Sequence, residues 1–174
     1  MKIDSTRIYG KYSGTVSDNA DPLTQGRIRA TDVAILEGEE TGWALPCTPF
    51  AGPGVGFFFL PPVGAKVWIE FEAGKVEHPI WSGCFWRDGE ASTMLSSLPN
   101  SPSSSDAPKT KVIKTEKATL SLSDLTSAQG ITIEITTGLK IEMVNNTVTI
   151  SNGNSTLELT SSDVAINRPA LEIK

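Results

Sequence analysis

The sequence predicts an all-β chain of two unlike parts: a small N-terminal barrel, and a C-terminal series of single-faced strands that three copies must share to make a core. Three observations carry this. All twelve aromatic residues lie between Tyr9 and Trp86, and twelve of the fifteen glycines lie at or before Gly89. From Leu120 onward apolar and polar residues alternate along successive short runs. Between the two parts runs Ser96 to Pro108, polar and proline-punctuated, too poor in apolar residues to fold alone. Such a break means two cores built on different principles, since bulky rings suit a globular core and a thin repetitive one has no room for them. The boundaries read as an N-terminal arm at 1–8, a barrel at 9–89, a Ser/Pro-rich linker at 90–110 and the strand series at 111–174.

In the first part, short β-type runs stand at Tyr12 to Val16, Arg27 to Val33, Gly42 to Pro46, Phe57 to Leu60, Ala65 to Phe71 and Ile80 to Phe85. Asp21-Pro22, Pro53-Gly54, Pro61-Pro62-Val63-Gly64 and Ala73-Gly74 separate them, residues that preset or permit turn dihedrals. Five or six strands in some 80 residues fit a small closed barrel of the OB type, with no helix. The longest apolar run, Val55 to Leu60, reads as a buried strand; a membrane-inserting loop is the alternative. Cys47 and Cys84 have no C-x-x-C spacing, and the chain has a single histidine, His78. One chain therefore assembles no four-ligand zinc site, and both cysteines read as small buried hydrophobes.

In the second part the apolar positions are Leu120, Leu122, Ile131, Ile133, Ile135, Leu139, Ile141, Met143, Val148, Ile150, Leu157, Leu159, Val164, Ile166, Leu171 and Ile173. Thr, Ser, Glu or Lys stand between them, and Thr136-Thr137-Gly138 and Ser151-Asn152-Gly153-Asn154 supply turns. A period of 2 puts every apolar side chain on one face. One chain has nothing to pack that face against. Three copies wound about an axis turn all three faces inward and cover the sheet edges, which makes these sixteen residues the expected trimer core. A two-layer β-sandwich monomer is the alternative; its core, roughly 10 Å thick, normally recruits the aromatic residues that are missing here.

A formal net charge of −5 disfavours the phosphate-neutralising surface that nucleic-acid binding needs. Met1 to Gly10 holds no apolar stretch of signal-peptide length, and no segment approaches the roughly 20 apolar residues of a membrane span. Synthesis in the cytoplasm, without secretion by a signal peptide, is the expectation. Glu70 and Glu72 share one side of a strand in the manner of a glycosidase pair, but solvated barrel surface is the simpler reading. His78, with Ser82 and Asp88 near it in sequence, lacks the Gly-x-Ser-x-Gly elbow of a hydrolase and reads as a turn histidine. Gly52-Pro53-Gly54-Val55-Gly56 lacks the Gly-Lys-Ser/Thr ending of a phosphate loop. Asn145 and Asn154 open glycosylation-type triplets that read as turns. No catalytic residue, cofactor or metal is expected.

Several motifs occur in order: Tyr12-x-Gly14-x-Val16, Gln25-Gly26-Arg27-Ile28-Arg29, Trp43-Ala44, Pro49 to Gly56, Pro61 to Gly74, and His78-Pro79-Ile80-Trp81-Ser82-Gly83-Cys84. This series, over residues 9 to 86, resembles the contractile-tail spike family: phage baseplate assembly protein V, the OB domain of the T-even tail spike and the VgrG-type spike of type VI secretion. Lys111 to Lys174 resembles the family's intertwined trimeric β-helix by pattern alone. The resemblance implies a non-enzymatic spike that docks below a tube hub and pierces the target envelope when a sheath contracts, touching the target membrane transiently. Arg27 and Arg29, alternating with Ile28, are candidate hub contacts. Where some relatives carry a hydrolase domain between barrel and helix, the linker of roughly twenty residues stands here. Where others end in a metal-binding His-x-His, this sequence reads Arg168-Pro169-Ala170-Leu171-Glu172-Ile173-Lys174, so Ala170, Leu171, Glu172, Ile173 and Lys174 are expected to bind a separate tip protein of the PAAR-repeat kind. Rival readings are a free-standing OB-fold nucleic-acid binder, which needs a basic groove with stacking aromatics, and an envelope-degrading enzyme, which needs a catalytic pair.

Overall fold

A computed structural model describes residues 7–98, 100–126 and 128–167, and the backbone of 171–173. The chain divides into two compact units, residues 1–91 and 92–174.

The first unit is a five-stranded barrel. Its strands are β1 (Tyr12–Asp18), β2 (Arg29–Thr31), β3 (Leu45–Pro46), β6 (Lys66–Phe71) and β7 (Pro79–Phe85), and a small hairpin of β4 (Ala51–Gly52) and β5 (Val55–Gly56) lies outside their sheet. The sheet order is β2-β1-β6-β7-β3, with β3 parallel to β7 and the other pairs antiparallel. An isolated bridge between Ile28 and Ala44 joins the two outer strands. Ile28 N–H donates to Ala44 O at 3.2 Å and Ala44 N–H to Ile28 O at 2.8 Å, which closes the ring and leaves no long open edge. This is the OB arrangement that the turn spacing predicts.

Alternation in β6 places Val67, Ile69 and Phe71 inside, where they meet Val16, Ile28, Ala30, Val33, Ala44 and Trp81 in a continuous core. Val67, Ile69, Ile28, Ala30 and Ala44 are wholly buried. Gly14 fits because nothing larger does: a Cβ there would stand 3.2 Å from Val33 Cγ2 and 3.3 Å from Ile69 Cγ1. Ile8 packs against the same core, and its N–H donates to Gly74 O at 2.9 Å.

Two readings of this unit need correction. Phe57 to Leu60 is not a buried strand. The hairpin ends at Gly56, Pro61-Pro62 follows with no N–H to offer a ladder, and the intervening residues run as irregular chain with Phe57, Phe58 and Phe59 each more than half exposed. Cys47 and Cys84 are likewise exposed thiols rather than buried hydrophobes. Cys84 follows Gly83 at the irregular part of the β6/β7 pairing, where register shifts between Val67 and Ile69.

The expected linker also holds more structure than its composition suggests. Helix α1 (Glu90–Ser96) and a 3-10 turn at Ala107–Lys109 lie in it. Arg87 N–H donates to Glu90 Oε2 at 2.7 Å, which fastens the start of α1. Leu98 is buried, sharing a small cavity of about 30 Å³ with Thr110, Ser121, Thr132 and Lys140. The segment therefore lies against the second unit instead of hanging free.

That second unit is an eight-stranded antiparallel meander: β8 (Thr110–Lys114), β9 (Ala118–Ser123), β10 (Gly130–Ile135), β11 (Leu139–Val144), β12 (Thr147–Asn152), β13 (Ser155–Leu159), β14 (Val164–Ile166) and β15 (Leu171–Ile173), in that spatial order. Short turns reverse the chain between β8 and β9 and between successive strands from β10 to β14. Asn145 takes φ 54° between β11 and β12, and Gly153 takes φ 57° between β12 and β13, the left-handed geometry that tight hairpins need. Gly130 opens β10 with φ 149°, where a Cβ would fall 1.9 Å from Met143 O.

Candidate assembly surfaces

Strict pairing aligns the apolar residues of the meander into rows across all eight strands. One row runs Ile113, Leu120, Ile133, Ile141, Ile150, Leu157, Ile166 and Leu171, each opposite the next. A second begins at Lys111 and continues through Leu122, Ile131, Met143, Val148, Leu159, Val164 and Ile173. Ile135 and Leu139 widen the face at β10 and β11, and past them the position falls to Asn152, opposite Leu139. All sixteen predicted residues occupy strands of this one sheet; for Leu171 and Ile173 the backbone pairing alone is described. Ala170 and Lys174 of the expected tip site lie outside the described residues, and Leu171, Glu172 and Ile173 form β15, the last strand of the sheet.

The face is open. Ile133 and Ile150 are each 44% exposed and Ile166 is 45% exposed. The opposite, polar face is more sheltered: Lys140 and Glu142 pair at 2.7 Å with side chains only 28% exposed, and Thr119 and Ala165 are buried. A single chain thus shelters its charges and leaves its isoleucines in water, the reverse of a finished protein. Covering one such half-exposed Ile or Leu is worth roughly 1–2 kcal/mol, and a row of them is a strong drive to associate.

Sequence reasoning missed Ile113. Val112 and Ile113 are adjacent, so alternation cannot say which faces inward, and pairing with Leu120 decides it. Lys111, on the same face, ion-pairs with Asp124 and closes the second row with a charge.

The barrel presents two further surfaces. At one, the turn Asp21 to Arg27 is wound around a carboxylate. Asp21 accepts from the N–H groups of Leu23 (3.0 Å), Gln25 (2.7 Å) and Arg27 (3.3 Å), and from the Arg27 guanidinium at 2.6 Å. The Arg27 guanidinium, helped by those backbone N–H groups, holds the Asp21 carboxyl far below the usual carboxylate range, and Asp21 in turn raises Arg27. Arg29 pairs with Glu40 at 2.6 Å. Both guanidinium carbons lie over the Trp43 ring, at 5.6 and 5.7 Å from its centre. The two arginines do share one surface, as alternation requires, but each has a carboxylate within the chain. Sequence reasoning placed Asp21 only as a turn residue; its spacing before Gln25-Gly26-Arg27 was the available signal.

At the other, Gln25, Gly26, Pro46 and Cys47, the hairpin and Phe57 to Leu60, and Trp81 to Cys84 line a groove of about 640 Å³. Its rim is aromatic: Phe50 meets Phe57 edge-on at 6.1 Å, and Phe57 meets Phe59 at 6.1 Å.

The candidate catalytic groupings are not brought together. Glu70 pairs with Lys11 at 2.6 Å, while Glu72 lies beyond the end of β6 in a 3-10 turn, 3.9 Å from His78 Nδ1. Ser82 accepts from Lys11 Nζ at 2.8 Å. Among the described residues no helix is long and apolar enough to cross a membrane.

Residues 12–86 match the family model of the type VI secretion system/phage-baseplate injector OB domain, and residues 110–172 match that of the phage baseplate V C-terminal trimerisation domain. Among curated proteins none matches the chain. The first match spans the closed barrel and the second spans the open meander, so each model falls on one structural unit. Both domains are structural parts of a baseplate, and the second gives the open apolar face its context, since it makes the chain one third of a homotrimer. The chain therefore belongs to the phage baseplate V family, as a structural component of a phage tail-like or type VI baseplate.

Proposed function

We propose that this chain is the central spike of its particle: the barrel docks below the tube hub, and the trimeric meander is the needle that pierces the target envelope when the sheath contracts. The observation that carries this reading is the taper of the sheet. β8 is five residues long, β9 to β12 are six, β13 is five and β14 is three. With a rise of about 3.4 Å per residue, the sheet narrows from about 20 Å to about 10 Å, and eight strands stack to about 34 Å. Three such sheets, their apolar rows turned inward as a shared core, make a rod that is slim at the β15 end. Continuous strand pairing along it resists unfolding under load, which puncture demands.

The partners follow from the same reading. Hub contact runs through the Arg27, Arg29 and Trp43 surface; with Asp21 and Glu40 neutralising the arginines, shape and stacking count there for more than net charge. A PAAR-type tip protein binds at residues 170–174, which include β15. The particle assembles in the bacterial cytoplasm, and the chain performs no catalysis.

Electron cryomicroscopy of intact particles containing this chain is the test. Barrel density at the end of the tube is expected, with the narrow end of the meander pointing away from it beneath a conical cap. Density for this chain along the sheath or within the tube would overturn the proposal.

A further inference from the structure

Apart from Trp81 and Leu60, which also pack in or against the barrel core, the residues of the groove on the barrel belong neither to that core nor to the needle. None of the residues lining it is charged. Phe50, Val55, Phe57, Phe58 and Phe59 around it are 53–65% exposed. The four phenylalanines alone leave roughly 450 Å² of ring in water, about as much as the largest apolar patch of a lone soluble chain, roughly 300–600 Å². The groove walls add to that. Two exposed thiols, Cys47 and Cys84, stand in it.

We infer that this face is a contact between barrels of the same trimer, with the β4–β5 hairpin of one copy seated against the Phe57 to Phe59 groove of the next. The inference rests on the homotrimer and not on the spike reading. Three arguments select another copy of this chain as the occupant. Chains joined through their trimerisation domains hold their barrels near one another at effective concentrations of the order of millimolar, so a modest contact suffices. Each chain carries a net charge of −5, and like-charged copies approach at least cost through an uncharged face. The hairpin forms one wall of the groove and still leaves Val55 57% exposed, so one subunit carries both a rim to offer and a hollow to receive it. Rim and hollow on one subunit make a head-to-tail contact, and such contacts close into a ring under threefold symmetry. Each barrel then gives one contact and receives one.

The two cysteines report on this directly, being the only two in the chain. The full-length trimer is treated with a maleimide at fixed pH, and its rate of modification is compared with that of Phe58→Asp and Val55→Asp chains. Comparison at one pH matters because Cys84, though exposed, is partly desolvated at the groove wall, which pushes its thiol up. Tryptophan fluorescence confirms that each variant barrel is folded, and native mass confirms the trimer. Phe58 and Val55 are surface residues outside the core, so the variants keep their fold. Modification at least tenfold slower in the wild-type trimer than in both variants is the expected result. Thiols that react in the wild-type trimer as fast as in the variants would overturn the inference and leave the groove to a different protein or to lipid. Slow reaction in all three chains would also overturn it, since the cover would then not depend on this face. A monomer by mass would defeat the trimer itself, a separate outcome.

Discussion

The barrel and the meander use the same period-2 alternation and reach opposite ends. In β6, alternation sends Val67 and Ile69 into a core where neither retains any exposure; in β10 and β11 the same alternation leaves Ile133 and Ile141 at 44% and 40%. Closure makes the difference. The Ile28 to Ala44 bridge joins the outer strands of the barrel, so each inward residue faces another strand of its own chain. The meander is an open row in which every strand pairs only with its neighbours, and its apolar face keeps much of its exposure. Folding in one unit is thus complete within a chain, while in the other it is completed by assembly.

Placing a charge on the open face gives the largest expected effect. Ile133→Asp puts one carboxylate per chain, three per trimer, at the middle of the first row, between Leu120 and Ile141. Burying an unpaired charge costs several kcal/mol per chain or forces the strands apart. Native mass spectrometry is expected to show loss of the trimer, while the tryptophans, all between Trp43 and Trp86, still report a folded barrel. A trimer that survives this substitution with unchanged stability would mean that the rows are not the shared core.

The barrel core supplies the converse. Ile69→Ala is expected to lower barrel stability by about 2–4 kcal/mol, read as an earlier urea midpoint of tryptophan fluorescence, with the trimer mass unchanged. Dissociation of the trimer on this substitution would show that the two units do not fold independently.

The smallest effect is confined to the Asp21 turn. Its carboxyl is depressed in the folded chain, so the stabilisation it gives is present above the unfolded value of about 3.9 and is lost as pH falls through the lower folded value. Wild-type barrel stability is expected to decline with acid below about pH 4, and this part of the decline should vanish in Asp21→Asn, whose stability at neutral pH is already reduced. Parallel pH profiles for the two chains, followed by thermal melting, would show that the turn does not depend on this ion pair.

Much of this architecture was legible in the residues. Alternation from Leu120 to Ile173, the confinement of aromatic residues to the first half and the positions of the turns determined two units, the strand series and the side on which the apolar residues from Leu120 onward stand. Sequence alone determines this because period and turn chemistry are local, set by which dihedrals a residue tolerates and where successive Cβ atoms point. What lies opposite a side chain is not local, and the tertiary structure alone decided it. Val55 to Leu60 has no alternation to read, and only its position between the hairpin and Pro61-Pro62 turned a greasy run into an exposed rim. Cys47 and Cys84 resemble core residues by type but stand exposed at a groove on the barrel. Asp21 looks like any turn aspartate until the wrapped chain brings three N–H groups and the Arg27 guanidinium to one carboxylate. Each of these outcomes depends on contacts between distant segments, which composition and spacing do not encode.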